Sequence, residues 1–130
     1  MNVQAEALKK RTFAFALAII AFCRILRQTW EGRELSDQIF RCGTRVGANY
    51  RAACRARSHA DVVNKMGVVM EEADEVAYWL ELIRASGSCK ATALEPLLVE
   101  AGELCAIFTQ SHITARSKVT LRGPAKPIHR

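Results

Sequence analysis

Arginines dominate one segment of the chain, and arginine suits phosphate binding because its planar guanidinium donates two parallel hydrogen bonds. Residues 41–57 contain five arginines and no acidic residue. On a helix, at about 100° per residue, four of these side chains fall within an arc of about 120°. Small residues lie between them and would let a phosphate backbone approach closely, so the pattern indicates a face that binds RNA or DNA. We call the four residues the arginine arc: Arg41, Arg45, Arg51 and Arg55.

No aromatic residue falls within the arginine arc, so bases would have nothing there to stack on. We therefore expect binding that is directed to the backbone, weak in sequence preference and strongly dependent on salt. A second interpretation stays open. The arginines could instead pair with the acidic run EEADE, in the same subunit or in a neighbouring one, through Glu71, Glu72, Asp74 and Glu75.

The charge of the chain is unevenly distributed, and this agrees with both interpretations. The formal net charge is +6. Residues 1–58 carry 11 basic and 4 acidic side chains, residues 59–87 carry 2 and 6, and residues 88–130 carry 6 and 3. A basic first part beside an acidic middle part favours either an acidic partner or pairing within the protein itself.

Other kinds of chemistry lack the residues that they need. The histidines His59, His112 and His129 are far apart, and there is no H-E-x-x-H, phosphate-binding glycine loop or nucleophile motif. Di-iron helical bundles use a Glu-x-x-His pair, which this chain does not contain. We therefore predict that the protein is not an enzyme and has no catalytic residue, metal site or cofactor.

The cysteines and the apolar N-terminal run both bear on location. Five cysteines form no C-x-x-C pair, which disfavours a disulfide framework or a zinc site and favours a reducing, cytoplasmic environment. The apolar run from Phe13 to Cys23 is like that of a signal peptide, but no A-x-A cleavage site follows and the helical pattern continues. With 11 residues the run is too short to cross a membrane, and we expect no membrane partner.

Four amphipathic helices are predicted to position the arginine arc. They cover about residues 4–30, 35–57, 59–85 and 92–117. Gly32 is taken as the break between the first two, and Ser58 with Asp61 as a capping box for the third. Short connections between such helices predict an all-α fold, an antiparallel up-down-up-down four-helix bundle. Residues 1–117 would form this domain, and residues 118–130 would form a basic, disordered tail.

Apolar residues recur at spacings of three and four in each predicted helix, which marks the side that faces the core. Gly43 and Gly47 form a G-x-x-x-G step, which predicts that another helix approaches the second helix closely. The predicted core positions are Leu8, Thr12, Phe15, Ile19, Phe22 and Leu26; Ile39, Val46, Tyr50 and Ala53; Val62, Met66, Val69, Ala73, Val76, Leu80 and Ile83; and Leu94, Leu97, Ala101, Leu104 and Phe108.

A second apolar side is predicted on the first and third helices, away from their core positions. A helix that is apolar all round is buried on more than one side, and tyrosine and tryptophan are enriched at interfaces. In a chain this short, the second side predicts contact with another subunit. The predicted oligomer interface consists of Phe13, Leu17, Ile20, Tyr78, Trp79 and Leu82.

Four segments form a distinctive set: RTFAFALAII, LSDQIFRCGTRVGANY, RSHADVV and EEADEVAYWLELI. They resemble the bacterial four-helix bundle proteins that are also called 23S rRNA intervening-sequence proteins, over about residues 8–115. The chain departs from the family pattern at Gly47, where many members have Pro, and at Ala52 and Ala53, where many have Glu-Gly. Without that Glu, the face of the arginine arc is more basic.

The resemblance implies an up-down bundle that assembles as a homopentamer around a central channel and has no established enzymatic activity. Some members are encoded inside insertions of 23S rRNA genes. A related branch, the accessory variability protein of diversity-generating retroelements, is similar in fold, is basic, and binds a reverse transcriptase and nucleic acid.

Two hypotheses of function follow. The leading one is a non-catalytic homo-oligomeric scaffold that binds RNA or DNA through the arginine arc, as an accessory subunit of a nucleic-acid enzyme such as a retroelement reverse transcriptase. The alternative is a protein–protein interaction module whose arginines form ion pairs between subunits.

Overall fold

The computed structural model describes residues 2–121, and these residues fold into four α-helices with no β-strand among them. The helices are α1 (Val3–Leu26), α2 (Trp30–Cys54), α3 (His59–Ser86) and α4 (Ala91–Leu121). The all-α prediction is confirmed. The last helix extends to Leu121, beyond the predicted end near Ser117, and the predicted tail from residue 122 onward lies outside the described residues.

Side chains with short polar groups fix where three of the helices begin. The Asn2 side chain accepts hydrogen bonds from the backbone N–H groups of Gln4 and Ala5. Ser58 accepts one from the backbone N–H of Asp61 at 3.1 Å, which is one of the two bonds of the predicted capping box, while the Asp61 carboxylate pairs with Lys65 at 3.3 Å. At the other end of α3, Gly87 adopts φ 70°, a left-handed conformation that glycine takes without strain.

The core lies between the four helices and is built from the predicted positions. Apolar spacing of three and four places one side of each helix against its neighbours, and the buried side chains follow that spacing. Leu8 and Val62 are only partly buried, since each lies near the start of its helix. The fully buried large side chains are Phe108, Ile19, Leu26, Ile39, Leu80, Ile83, Leu94, Leu104, Val46, Val69, Val76 and Thr12.

The helices pack mainly against their neighbours in sequence, whereas α1 and α4 contact each other much less. Glycines allow the closest approach, between α1 and α2. A Cβ at Gly43 would lie 2.9 Å from the Ile19 side chain, and one at Gly47 would lie 2.9 Å from the Thr12 hydroxyl. The prediction that the G-x-x-x-G step serves helix packing is therefore confirmed.

The predicted position of the first turn was wrong. α1 ends at Leu26, and α2 begins at Trp30 rather than after Gly32. Thr29 caps α2, with its hydroxyl accepting a hydrogen bond from the Gly32 N–H at 3.0 Å. Gly32 is buried in the first turn of α2, where a Cβ would overlap the carbonyl oxygen of Leu26. The glycine is needed for this close approach and does not break a helix.

None of these helices combines the length and the apolar character that crossing a bilayer requires, over the residues that the structure describes.

Candidate nucleic-acid interface

The arginine arc lies on the exposed side of α2, with its members spread between the two flanking helices. Arg51 leans toward α1, where its guanidinium carbon lies 5.8 Å from the centre of the Phe13 ring, within the range of a cation–π interaction. Arg45 leans toward α3, where it lies 3.9 Å from a carboxylate oxygen of Glu72. Arg41 and Arg55, at the two ends of the arc, are exposed, and Arg55 is the residue that caps the C-terminus of α2. The four charges therefore form a basic strip, with three along α2 and the fourth at its C-terminal end.

Pairing within the subunit accounts for little of this charge. The contact of Arg45 with Glu72 is long, and the Arg45 side chain is 56 % exposed, so solvent screens the pair. Over the part of the chain whose side chains are described, it is the only ion pair that the arginine arc forms. Burial raises the pKa of Glu72, and the nearby Arg45 only partly opposes this. The other acidic residues of the EEADE run make no such contact with the arc inside the subunit.

A groove between α1 and α2 runs beside the arginine arc, and we call it the α1–α2 groove. It consists of two adjoining cavities of about 650 Å³ and 420 Å³ that share Ile20 and Thr44. Its floor is apolar and its rim is basic. The charged residues that line it are Lys9, Arg24, Arg27, Arg41, Arg45 and Arg51, with Asp37 as the one acidic residue.

The acidic residue of the groove is already paired. Arg27 donates a hydrogen bond to the Asp37 carboxylate at 2.9 Å and a second to the Ser36 hydroxyl at 2.8 Å. These bonds join the end of α1 to the second turn of α2 and hold the Arg27 guanidinium in place. Because Asp37 is neutralised locally, the remaining rim of the groove is left with positive charge.

Two aromatic rings in the α1–α2 groove change the expectation, drawn from the arc alone, that bases would have nothing to stack on. Phe13 and Phe40 line its two cavities and are 56 % and 47 % exposed. The arc itself contains no aromatic residue, as the helical projection indicated. Phe40 directly precedes Arg41 in the sequence and could have been noticed there, whereas Phe13 reaches the arc only because α1 packs on α2.

The predicted oligomer interface divides into two separate surfaces. Phe13, Leu17 and Ile20 lie in the α1–α2 groove, beside the arginine arc. On α3, Tyr78 is 57 % exposed and packs edge-on against Trp79, whose ring nitrogen donates a hydrogen bond to Glu75 at 3.1 Å. The residues predicted to bind nucleic acid and half of those predicted to bind a subunit therefore share one surface.

Similarity to known proteins identifies the family. The family model described as 23S rRNA-intervening sequence protein matches residues 6–110. The chain belongs to this family. A solved structure from Bacteroides thetaiotaomicron VPI-5482, described as a protein with unknown function from the S23 ribosomal protein family, is 29 % identical to the chain with a TM-score of 0.77. The match covers 85 % of this chain and 98 % of that one. No curated protein matches the chain.

The family assignment covers all of α1, α2 and α3 except the first residues of α1, and most of α4, so it includes the whole α1–α2 groove. The resemblance seen in the four sequence segments is thereby confirmed.

Other reactive groups of this family member lie outside the groove or are buried. Burial raises the pKa of the Cys23 thiol to about 11 and that of the Cys42 thiol to about 12, so neither is ionised near neutral pH. Cys54, at the end of α2, is exposed. Within residues 2–118, no three His, Cys, Asp or Glu side chains come together as metal ligands would.

Proposed function

We propose that the protein is a non-catalytic, homo-oligomeric scaffold that binds the backbone of RNA or DNA through the arginine arc. One observation carries the proposal: the arc forms an exposed strip of positive charge in which the subunit pairs only Arg45, and that weakly. A strip of this kind attracts phosphates and releases counterions when they bind. An additional basic residue on the rim of the α1–α2 groove, Arg24, widens the same positive surface, whereas Lys9 is paired with Glu6 at 2.9 Å.

The arrangement of the helices in this scaffold is proposed to be antiparallel, up-down-up-down. Loops of three or four residues between helices of 24 to 31 residues support it, because so short a loop can only reverse the chain. The order of facing residues supports it as well. Thr12 faces Gly47, whereas Ile19, further along α1, faces Gly43, which lies earlier on α2.

The biological setting of the proposal rests on family resemblance. The scaffold would assemble as a homopentamer and act in the cytoplasm, as an accessory subunit of a nucleic-acid enzyme such as a retroelement reverse transcriptase. The gene neighbourhood tests this part separately. A reverse transcriptase gene with a repeat pair nearby would support it, whereas a position inside an rRNA gene would contradict it.

Charge reversal tests the arginine arc directly. The variant R45E/R51E changes two arc residues, and K65E/K90E makes the same change in net charge on α3 and on the α3–α4 loop. Binding of labelled RNA and DNA is measured by fluorescence anisotropy at two salt concentrations. Each phosphate contact adds about 0.7 to the salt slope on a single strand, so four arginines predict a slope of about −3.

We expect R45E/R51E to lose at least about tenfold in affinity, with a flatter salt slope, while K65E/K90E loses much less. Equal affinities for the two variants would show that the arc is not the binding site. Melting temperature and mass by light scattering serve as controls, since both variants should remain folded.

A second candidate function is a protein-interaction module in which the arginines pair with a neighbouring subunit. It is favoured by the exposed apolar side chains that accompany each charge: Phe13 and Leu17 beside the arginines, and Tyr78 and Leu82 beside the acidic run on α3. Under this hypothesis, R45E/R51E breaks the oligomer. Adding E71R/E75R subunits to R45E/R51E subunits should then restore mixed assemblies, which light scattering detects. If R45E/R51E keeps the mass of the wild type, this candidate is wrong.

A further inference from the structure

We infer that the α1–α2 groove binds single-stranded nucleic acid, with unpaired bases stacking on Phe13 and Phe40 while the arginines hold the phosphates. The inference rests on the proposed function and adds the form of the nucleic acid to it. The arginine arc alone would bind single and double strands alike, because both present phosphates. The groove beside it distinguishes them.

The rings of Phe13 and Phe40 are exposed in the groove; because Arg51 lies over the Phe13 ring, a base there would stack on the guanidinium or on the uncovered part of the ring. Both rings are about half exposed in a groove whose floor also includes Leu17 and Ile20. Large aromatic side chains exposed beside basic ones are the arrangement by which proteins bind single strands without sequence preference. A duplex cannot use them, since its bases are already paired and stacked and expose only their edges.

The spacing of the two rings fits a strand that lies along the groove. Thr12 faces Gly47, so Phe13 lies near that level of α2, seven residues from Phe40. At about 1.5 Å per residue this places the rings about 10 Å apart along the helix axis. That is about three steps of a stacked strand, at about 3.4 Å per nucleotide. Each ring would therefore contact a different base of a short segment.

Positive charges lie in the same cavities as the rings. Around Phe40, Arg24 from α1 and Arg41 from α2 line the same cavity. At Phe13, the Arg51 guanidinium lies over the ring, and arginine planes also stack on bases. The groove thus offers flat apolar surface in its floor and cations at its rim, which matches a chain of bases linked by phosphates.

The test replaces both rings by leucine, which keeps the apolar floor and removes the flat surface. The probes are labelled oligouridylate and oligothymidylate, each alone and annealed to its complementary strand, so that RNA and DNA are tested in parallel. The control is W30L, which removes an exposed aromatic residue at the start of α2 that lines neither cavity of the groove. Melting temperature and light scattering report folding and assembly for every variant.

We expect wild-type protein to bind the single strands more tightly than the duplexes. F13L/F40L should weaken single-strand binding by at least about fivefold, the lower limit for losing one stacked base, and leave duplex binding unchanged. W30L should bind both as the wild type does. This pattern supports the inference for RNA, for DNA or for both, according to the probe that shows it.

Other outcomes separate the inference from the proposed function. If F13L/F40L changes neither affinity while R45E/R51E lowers both, the arc binds nucleic acid and stacking in the groove is refuted. If F13L/F40L lowers single-strand and duplex binding equally, the rings affect binding by supporting the fold and not by stacking on bases, and the inference is again wrong. If wild-type protein binds no probe, or R45E/R51E has no effect, the proposed function fails as well.

Discussion

Glycine-to-alanine substitutions should have opposite effects at different positions of this bundle, because the space beside each glycine differs. At Gly102, on the exposed side of α4, no atom of another helix lies within 4 Å of an added Cβ. At Gly43, the Cβ would lie 2.9 Å and 3.0 Å from two carbons of Ile19, which is fully buried. At Gly32, it would overlap the carbonyl oxygen of Leu26, a backbone atom at the end of α1.

The free energies of unfolding follow from two competing effects. Alanine is favoured over glycine in a helix interior by about 1 kcal/mol, and G102A should gain nearly all of this. G43A gains the same amount but must displace a buried side chain, which costs about 1 to 3 kcal/mol, so its net effect is a loss of up to about 2 kcal/mol. G32A should lose about 3 kcal/mol or more, since a carbonyl in the helix end cannot rotate away and the α1–α2 turn must open.

Urea denaturation followed by circular dichroism measures these differences, at one protein concentration because any assembly adds to the apparent stability. In thermal melts, each kcal/mol should shift the midpoint by about 4 °C. The expected order of stability is G102A, wild type, G43A and G32A. A G32A protein as stable as the wild type would refute the claim that this glycine is required for the close approach of α2 to α1. A destabilised G102A would show that its side of α4 is covered.

Three further predictions concern charge and thiol chemistry. Burial raises the pKa of Glu72, so the folded state holds the Glu72 proton more tightly than the unfolded state does. The stability that this proton contributes is lost as pH rises through the folded pKa. E72Q should therefore be more stable than the wild type at neutral pH and equally stable in acid. R11M should lower the free energy of unfolding by about 1 kcal/mol, because Arg11 of α1 donates two hydrogen bonds to Glu100 of α4, and the loss should be smaller at high salt. A double-mutant cycle with E100Q measures the coupling between the two residues. Alkylation near neutral pH should modify the exposed Cys54 readily and Cys42 only after unfolding, which peptide mass spectrometry detects.

The core could be predicted from the sequence because helical periodicity is a local property. In α3, buried residues recur at the predicted spacing from Met66 to Ile83. The first turn could not be predicted in the same way. Glycine at position 32 is compatible with a helix break and with a close contact, and only the packing of α1 on α2 decides between them.

From the sequence, the candidate site could be predicted only within a single helix, and its contacts between helices could not. The arginine arc could be predicted from the helical projection, because three of its members are on α2 and the fourth, Arg55, directly follows it. The contact between Phe13 and Arg51 depends on how α1 and α2 align, and the helical periodicity of the sequence does not specify that alignment. Consequently the sequence placed Phe13 in a subunit interface and Arg51 in a nucleic-acid site, as though these were different places.

The overlap of these two predicted sites in the α1–α2 groove leads to a last prediction. A neighbouring subunit that covers Phe13 and Leu17 would also cover the arc, so nucleic acid and assembly would compete. If assembly instead uses the α3 surface around Tyr78 and Leu82, which does not line the groove, the two would coexist. We expect coexistence, because the proposed function requires an accessible arc.

Light scattering with increasing oligothymidylate distinguishes the two arrangements. Coexistence predicts that the mass of the assembly rises by that of the bound strands, and that Y78E lowers the subunit number while each subunit keeps its affinity for the strand. Competition predicts that the assembly falls apart as the strand binds. Since exposed ion pairs weaken as salt screens them, a competing assembly would also dissociate with rising salt. A loss of mass on adding the strand would therefore place the subunit contact in the groove and contradict our assignment of the α3 surface to assembly.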